Sequence, residues 1–148
     1  MIWSPHITVA TLVQRENRFL MVEERTVAGL QLNQPAGHLE PGESIPEAAV
    51  RETLEETGYS VAIDHLVGIY RWENSRTDIT YLRFALEAHV VHHDRLRALD
   101  SDIVRTHWLS VDELRANVAS HRSPLVMRCI EDFLAGHRHP LDLLHDLA

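Results

Sequence analysis

The sequence predicts an α/β protein in which a mixed β-sheet is packed between helices in three layers, α/β/α. Three observations carry this. Runs rich in Val, Ile, Leu and aromatic residues recur from His6 to Leu109, several with two-residue alternation. Between them, Ser44 to Gly58 carries the punctuation of one short helix. Two further helical patterns close the chain after the last strand run.

His6 to Gln14, with Ile7, Val9, Leu12 and Val13, reads as the first strand. Arg15 to Arg18 is a polar turn, and Phe19 to Val22 starts a second strand that makes a hairpin with the first. Glu23 to Leu30, polar and containing Gly29, reads as a loop. Pro35 resists pairing inside a central strand, so Leu32 to Ala36 is expected to be an edge or bend. Ser44 and Glu47 form a capping-box pair, and Pro46 stands in the first turn, where its missing N–H costs little. Gly58 is the residue type that most cheaply ends a helix in the left-handed conformation.

Val61 to Ile63 and Leu66 to Trp72 read as two strands, and Glu73 to Asp78 as a turn. Ile79 to Val91 is a long strand with Leu82, Phe84 and Leu86 alternating. A charged connection, Asp94 to Asp102, precedes a last strand over Ile103 to Leu109. Ser110 and Glu113 repeat the capping box and open a helix to about Val118. Ser123-Pro124 opens the final one, with Leu125, Cys129, Phe133 and Leu134 on one side and an end near Gly136. The pattern assigns no element to the tail from about His139.

The 148 residues suit one domain, 1–148, with a core of ordinary size. A formal net charge of −8 disfavours a nucleic-acid partner. One cysteine cannot make an internal disulfide, which suits a reducing, cytoplasmic setting. Neither a signal peptide nor a bilayer-crossing run is visible, so no membrane partner is expected. The eleven histidines are scattered without zinc-site spacing.

The stretch with chemical content is Gly37 to Tyr59, GHLEPGESIPEAAVRETLEETGY. On a helix, Glu52, Glu55 and Glu56 share a face, with Arg51 at its border. Alone, such an acidic run ordinarily marks a solvated surface. A divalent cation would relieve the repulsion, and hard oxygen ligands suit Mg²⁺ or Mn²⁺. The wider spacing is more specific: Gly37, five residues, Glu43, seven residues, then Arg51-Glu52-x-x-Glu55-Glu56-x-Gly58. Seven fixed positions recur by chance about once in 10⁸ starting points.

This stretch resembles the signature box of the Nudix hydrolases. Thr53 and Tyr59 depart from it, standing where the family prefers aliphatic residues. The resemblance implies a curved mixed sheet between helices and hydrolysis of a phosphoanhydride bond. It makes Glu52, Glu55, Glu56 and the Gly37 carbonyl the metal ligands, with Glu43 and Arg51 holding the box in shape. The general base differs between branches of the family: a box glutamate, or a later acid, here Asp100 or Asp102.

The resemblance also implies a pocket over the sheet beside the box, where Arg25, Gln34, Trp72, Tyr81, Arg83 and Arg122 could reach a substrate. Ser123 could offer a backbone N–H to an anion. Pro5 to Ala10, Asn33 to Glu40, Asp100 to Ile103 and Arg122 to Val126 are similar to a phosphate-releasing bacterial branch of the family. That likeness implies nucleoside tri- and diphosphates and hydroxymethylpyrimidine pyrophosphate as substrates, with Mg²⁺, in a monomer or homodimer. Leu32 departs from the aromatic residue expected there. Two other outcomes stay open: cleavage of triphosphates to monophosphate and pyrophosphate, and a non-catalytic nucleotide-binding module.

Overall fold

Seven strands and three helices make up the chain in a computed structural model that describes residues 1–148. The strands are β1 (His6–Arg15), β2 (Arg18–Thr26), β3 (Gly29–Asn33), β4 (Ala36–His38), β5 (Tyr59–Asn74), β6 (Ile79–His93) and β7 (Ile103–Ser110). The helices are α1 (Ile45–Thr57), α2 (Val111–Ala116) and α3 (Leu125–Leu134). The sheet runs β3-β2-β1-β6-β5, with β4 added on β1 and β7 on β2. The β1–β6 pair is parallel and every other pair antiparallel, so the sheet is mixed. No helix is long and apolar enough to cross a membrane.

β1 and β2 pair only near their shared turn, at Gln14↔Phe19 and Arg15↔Arg18. Glu16 and Asn17 both take positive φ there, as a two-residue hairpin turn requires. Beyond it the strands diverge, β1 toward β6 and β2 toward β3 and β7. The alternation along β1 and β2 assigns the two faces. Val9, Val13 and Leu20 pack toward α1, in clusters with Ala48, Ala49 and Val50. Leu12, Phe19 and Met21 pack on the opposite side with Leu114 of α2 and Val126, Cys129, Ile130 and Phe133 of α3. Helices therefore cover both faces, as the sequence predicts.

Three boundaries differ from the sequence reading, each for a local reason. Glu23 to Thr26 continues β2 rather than forming a loop. Its polar side chains are satisfied by distant arginines, Glu23 by Arg105 of β7 at 3.0 Å and Glu24 by Arg122, just ahead of α3, at 3.1 Å. The two strands expected over 61–72 are one strand, β5, which absorbs Asp64-His65 through register shifts against β6. The tail is ordered: Leu66 and His139 exchange backbone hydrogen bonds of 2.9 and 2.8 Å, and Leu141 and Leu144 pack on the α1-side core.

α1 starts and stops as its sequence dictates. Ser44 and Glu47 cap each other's backbone N–H groups, and Gly58 takes φ 76° at the C-terminus. Thr53 and Tyr59 are both accommodated. The Thr53 hydroxyl lies 2.9 Å from that of Thr11, and both residues are fully buried. Tyr59 stacks on His93 and accepts a hydrogen bond from Trp108 Nε1 at 3.1 Å. Thr53→Val alone is expected to cost about 1–2 kcal/mol, because it strands the Thr11 hydroxyl. The double change Thr11→Val/Thr53→Val should recover most of that loss in urea unfolding. Simply additive losses would show that the two hydroxyls do not act as a pair.

Candidate active site and metal centre

Helical spacing brings Glu52, Glu55 and Glu56 to the same side of α1, while Ala49 and Thr53 point into the core. The connection 94–102 folds back over the end of this helix. Asp94 N–H bonds to Gly58 O at 2.9 Å, and Asp100 N–H to Glu55 O at 3.1 Å. This places carboxylate oxygens of Glu52, Glu55 and Asp100 within 4.8 Å of one another. Asp102 contributes only backbone here, its carbonyl accepting from Arg25 N–H at 2.8 Å. Of the two later-loop acids, it is Asp100 that joins the cluster.

Glu56 is almost fully buried, and its Oε1 accepts the Ala36 N–H at 2.9 Å. Burial, together with the Glu52 charge, pushes its carboxyl up to about 9. Burial likewise raises Glu52, against the opposing pull of Arg51, and raises Asp100, with Glu55 adding to it. The acids are thus assembled against their own repulsion. A bound cation would reverse that local preference.

Arg51 organises the surrounding loop. Its Nε and Nη2 donate to the two oxygens of Glu43 at 2.9 and 2.7 Å, and Nη2 also donates to His38 O at 2.9 Å. Nη1 reaches Glu52 at 2.7 Å and Glu55 at 3.4 Å. The guanidinium holds the Glu43 carboxyl below the usual carboxylate range.

Gly37 faces the Glu52 carboxylate so closely that a Cβ there would overlap it. An all-oxygen donor set with backbone brought this near fits a hard divalent ion such as Mg²⁺ or Mn²⁺. The clustered acids that would hold it are Glu52, Glu55 and Asp100. Because the obstructing group is the flexible end of Glu52, Gly37→Ala should fold normally yet displace that carboxylate. Turnover is expected to fall by about 10²-fold with the melting temperature nearly unchanged. Full activity in this variant would remove Gly37 from the site.

Glu52 and Glu56 line a cavity of about 760 Å³ that extends over the sheet on the α3 side. Its far walls carry Trp72 and Tyr81, a cross-strand pair with ring centroids 5.8 Å apart and planes inclined by 17°. Arg83, Arg122 and Ser123 line it as well. Two residues expected there are elsewhere. Arg25 is exposed and bonds to Ser101 O at 3.3 Å. Gln34 is buried behind the wall, accepting from Arg83 and donating to Val126 O at 2.8 Å. Asn33 and Glu24 also line the cavity. Neither is legible in the sequence, because Glu24 lies in a polar stretch that reads as loop and nothing local marks Asn33.

Fold and acidic centre together define a Nudix protein: residues 4–129 match the NUDIX domain, and the chain belongs to that family. It is a hydrolase acting on phosphoanhydride bonds. Over 146 residues, 97% of this chain and 93% of its relative, it is 40% identical to phosphatase NudJ of Escherichia coli strain K12. A NUDIX hydrolase from Nitrosomonas europaea superposes with a TM-score of 0.95 at 51% identity, covering 97% of this chain and 98% of that one. An Ap4A hydrolase from Caenorhabditis elegans shares the fold, with a TM-score of 0.67 at 20% identity, covering 88% of this chain and 98% of its own.

Proposed function

We propose that this chain is a Mg²⁺-dependent phosphatase that releases phosphate from nucleoside tri- and diphosphates and from hydroxymethylpyrimidine pyrophosphate. The observation that carries the reading is one cavity lined both by Glu52, which belongs to the acidic cluster, and by Trp72, Tyr81, Arg83 and Arg122. The near full-length similarity to phosphatase NudJ supports phosphate as the product.

In this reading Glu52, Glu55, Glu56, Asp100 and the Gly37 carbonyl hold the ion, which when bound neutralises charge developing on the phosphates. Arg51 and Glu43 fix the loop that presents Gly37, through the contacts to His38 O and Glu52. Trp72 and Tyr81 offer ring faces to the rest of the substrate. Arg122 sits at the rim, its charge shared with Glu24. Asp100 is the later-loop acid beside the box glutamates, and in this reading its carboxylate serves the ion with theirs. The lone, buried cysteine fits a reducing, cytoplasmic setting.

Product analysis with Mg²⁺ on a panel of nucleotides plus hydroxymethylpyrimidine pyrophosphate tests the proposal. Inorganic phosphate as the direct product supports it. Pyrophosphate with monophosphate would move the chain to the pyrophosphohydrolases, and no product from any substrate would point to a binding module.

A further inference from the structure

His6 and His38 lie 32 positions apart, and no sequence spacing pairs them. The sheet does. β4 runs antiparallel to β1 with Thr8↔His38, Val9↔Gly37 and Ala10↔Ala36 in register, and the bond of 3.1 Å from Leu39 N–H to Ile7 O carries that register one step further. The next step sets His6 across from Glu40. Side chains two apart on a strand share a face, so His6, Thr8, His38 and Glu40 stand on one side of the ladder. That side is the cavity's. Thr8, His38 and Glu40 line it, as does Tyr81, the β6 partner of His6.

His6 Nδ1 lies 3.2 Å from His38 Nε2, a diagonal contact between two exposed rings. A hydrogen bond there needs only one of the nitrogens to donate, and water competes for it at an exposed position. The placement has other supports. The His6 ring packs edge-on against Tyr81 with centroids 5.6 Å apart, and Arg51 Nη2 holds the His38 carbonyl at 2.9 Å. By contrast, His65, His89 and His107 each face a carboxylate, that of Glu87, Asp64 and Glu23 in turn. Here two imidazole nitrogens are presented side by side.

Their separation suits a metal ion. Two nitrogens each about 2.0–2.1 Å from a tetrahedral Zn²⁺ stand about 3.3 Å apart. Glu40, across from His6, offers a carboxylate as third ligand. It leans on Arg51 Nη1 at 3.5 Å, and with 60% of its side chain exposed it can turn to an ion. Two histidines, a glutamate and one open position are a donor set that zinc accepts. Imidazole suits Zn²⁺, Ni²⁺ and Cu²⁺, whereas Mg²⁺ keeps to oxygen, so this pair is chemically distinct from the acidic centre on α1.

We propose that His6 and His38, with Glu40, form a second metal site that takes a borderline transition-metal ion, Zn²⁺ being the type. Since His38 and Glu40 line the cavity, an ion held by them becomes part of its wall and adds a positive centre beside the acids. The site does not depend on the cavity's being catalytic.

Calorimetric titration of the full-length protein with ZnCl₂, in a large excess of Mg²⁺ to saturate the oxygen-ligand centre, tests this. One zinc site is expected. His6→Ala and His38→Ala should each weaken it by more than about tenfold, the scale on which even the supporting contacts of a metal site count. His6→Gln retains a hydrogen-bonding group but not the imidazole, and should weaken zinc as His6→Ala does. Glu52→Gln, which disables the acidic centre, should leave the zinc site in place. In proton NMR the ring signals of His6 and His38, assigned from their variants, should move together with the first equivalent of Zn²⁺. Both rings are exposed, so without metal the His6 variants should melt with the parent protein. Absence of zinc binding, zinc binding that survives in His6→Ala, or binding lost only in Glu52→Gln would overturn the proposal.

Discussion

Glu56→Gln should lower phosphate release by on the order of 10³-fold or more while leaving the fold intact, the scale seen when a preorganised charge-stabilising group is lost. The substitution is nearly isosteric, and the amide oxygen can keep the 2.9 Å bond from Ala36 N–H. What disappears is the negative charge. Burial and the neighbouring Glu52 already disfavour that charge in the metal-free protein, so neutralising it removes no folding interaction. The two consequences can be read separately. Without Mg²⁺ the melting temperature should match the parent protein, and the stabilisation that Mg²⁺ confers by binding the folded state should shrink or vanish. Normal turnover in this variant would refute the assignment of Glu56 as a metal ligand.

Arg51→Ala is expected to have the largest effect on stability. It strands Glu43, whose side chain is only 14% exposed, and frees the loop carbonyl at His38 and the Glu52 carboxylate together. Removing one partner of such a desolvated cluster costs about 3 kcal/mol. For a chain of this size that is roughly a 6–12 °C fall in melting temperature. Activity should fall by at least about 10²-fold, since Gly37 and Glu52 lose their placement together, as when a metal site's supporting contacts are removed. Glu43→Ala should reproduce much of this, and the double variant should be little worse than Arg51→Ala. Additive losses would mean that the two residues act separately, contrary to the fork seen between them.

The contrast between these variants reflects what could be read along the chain. α1 was legible to the residue because its signals are local: Ser44 and Glu47 cap within one turn, Gly58 ends the helix, and helical spacing alone gathers Glu52, Glu55 and Glu56. β2 was legible only while its residues were apolar. Past Val22 the strand continues on polar side chains whose partners, Arg105 and Arg122, lie some eighty or more positions away. β5 was split at Asp64-His65, where the apolar pattern lapses but cross-strand bonds to β6 carry the strand through its bulges.

The sequence by itself determined the sheet-and-helix class, the box helix and its acids, because each depends on residues within a few positions of one another. Tertiary structure decided which later acid completes the cluster. Asp100 and Asp102 are equivalent as text, and only the bond from Asp100 N–H to Glu55 O tells them apart. It also divided the expected pocket residues. Arg83 reaches the cavity wall while Gln34, fixed to Val126 on α3, stands behind it as a clamp. The physical reason is the same in both cases. A side chain's surroundings are set by strands and helices far off in the chain, and no spacing in the sequence encodes where those elements pack.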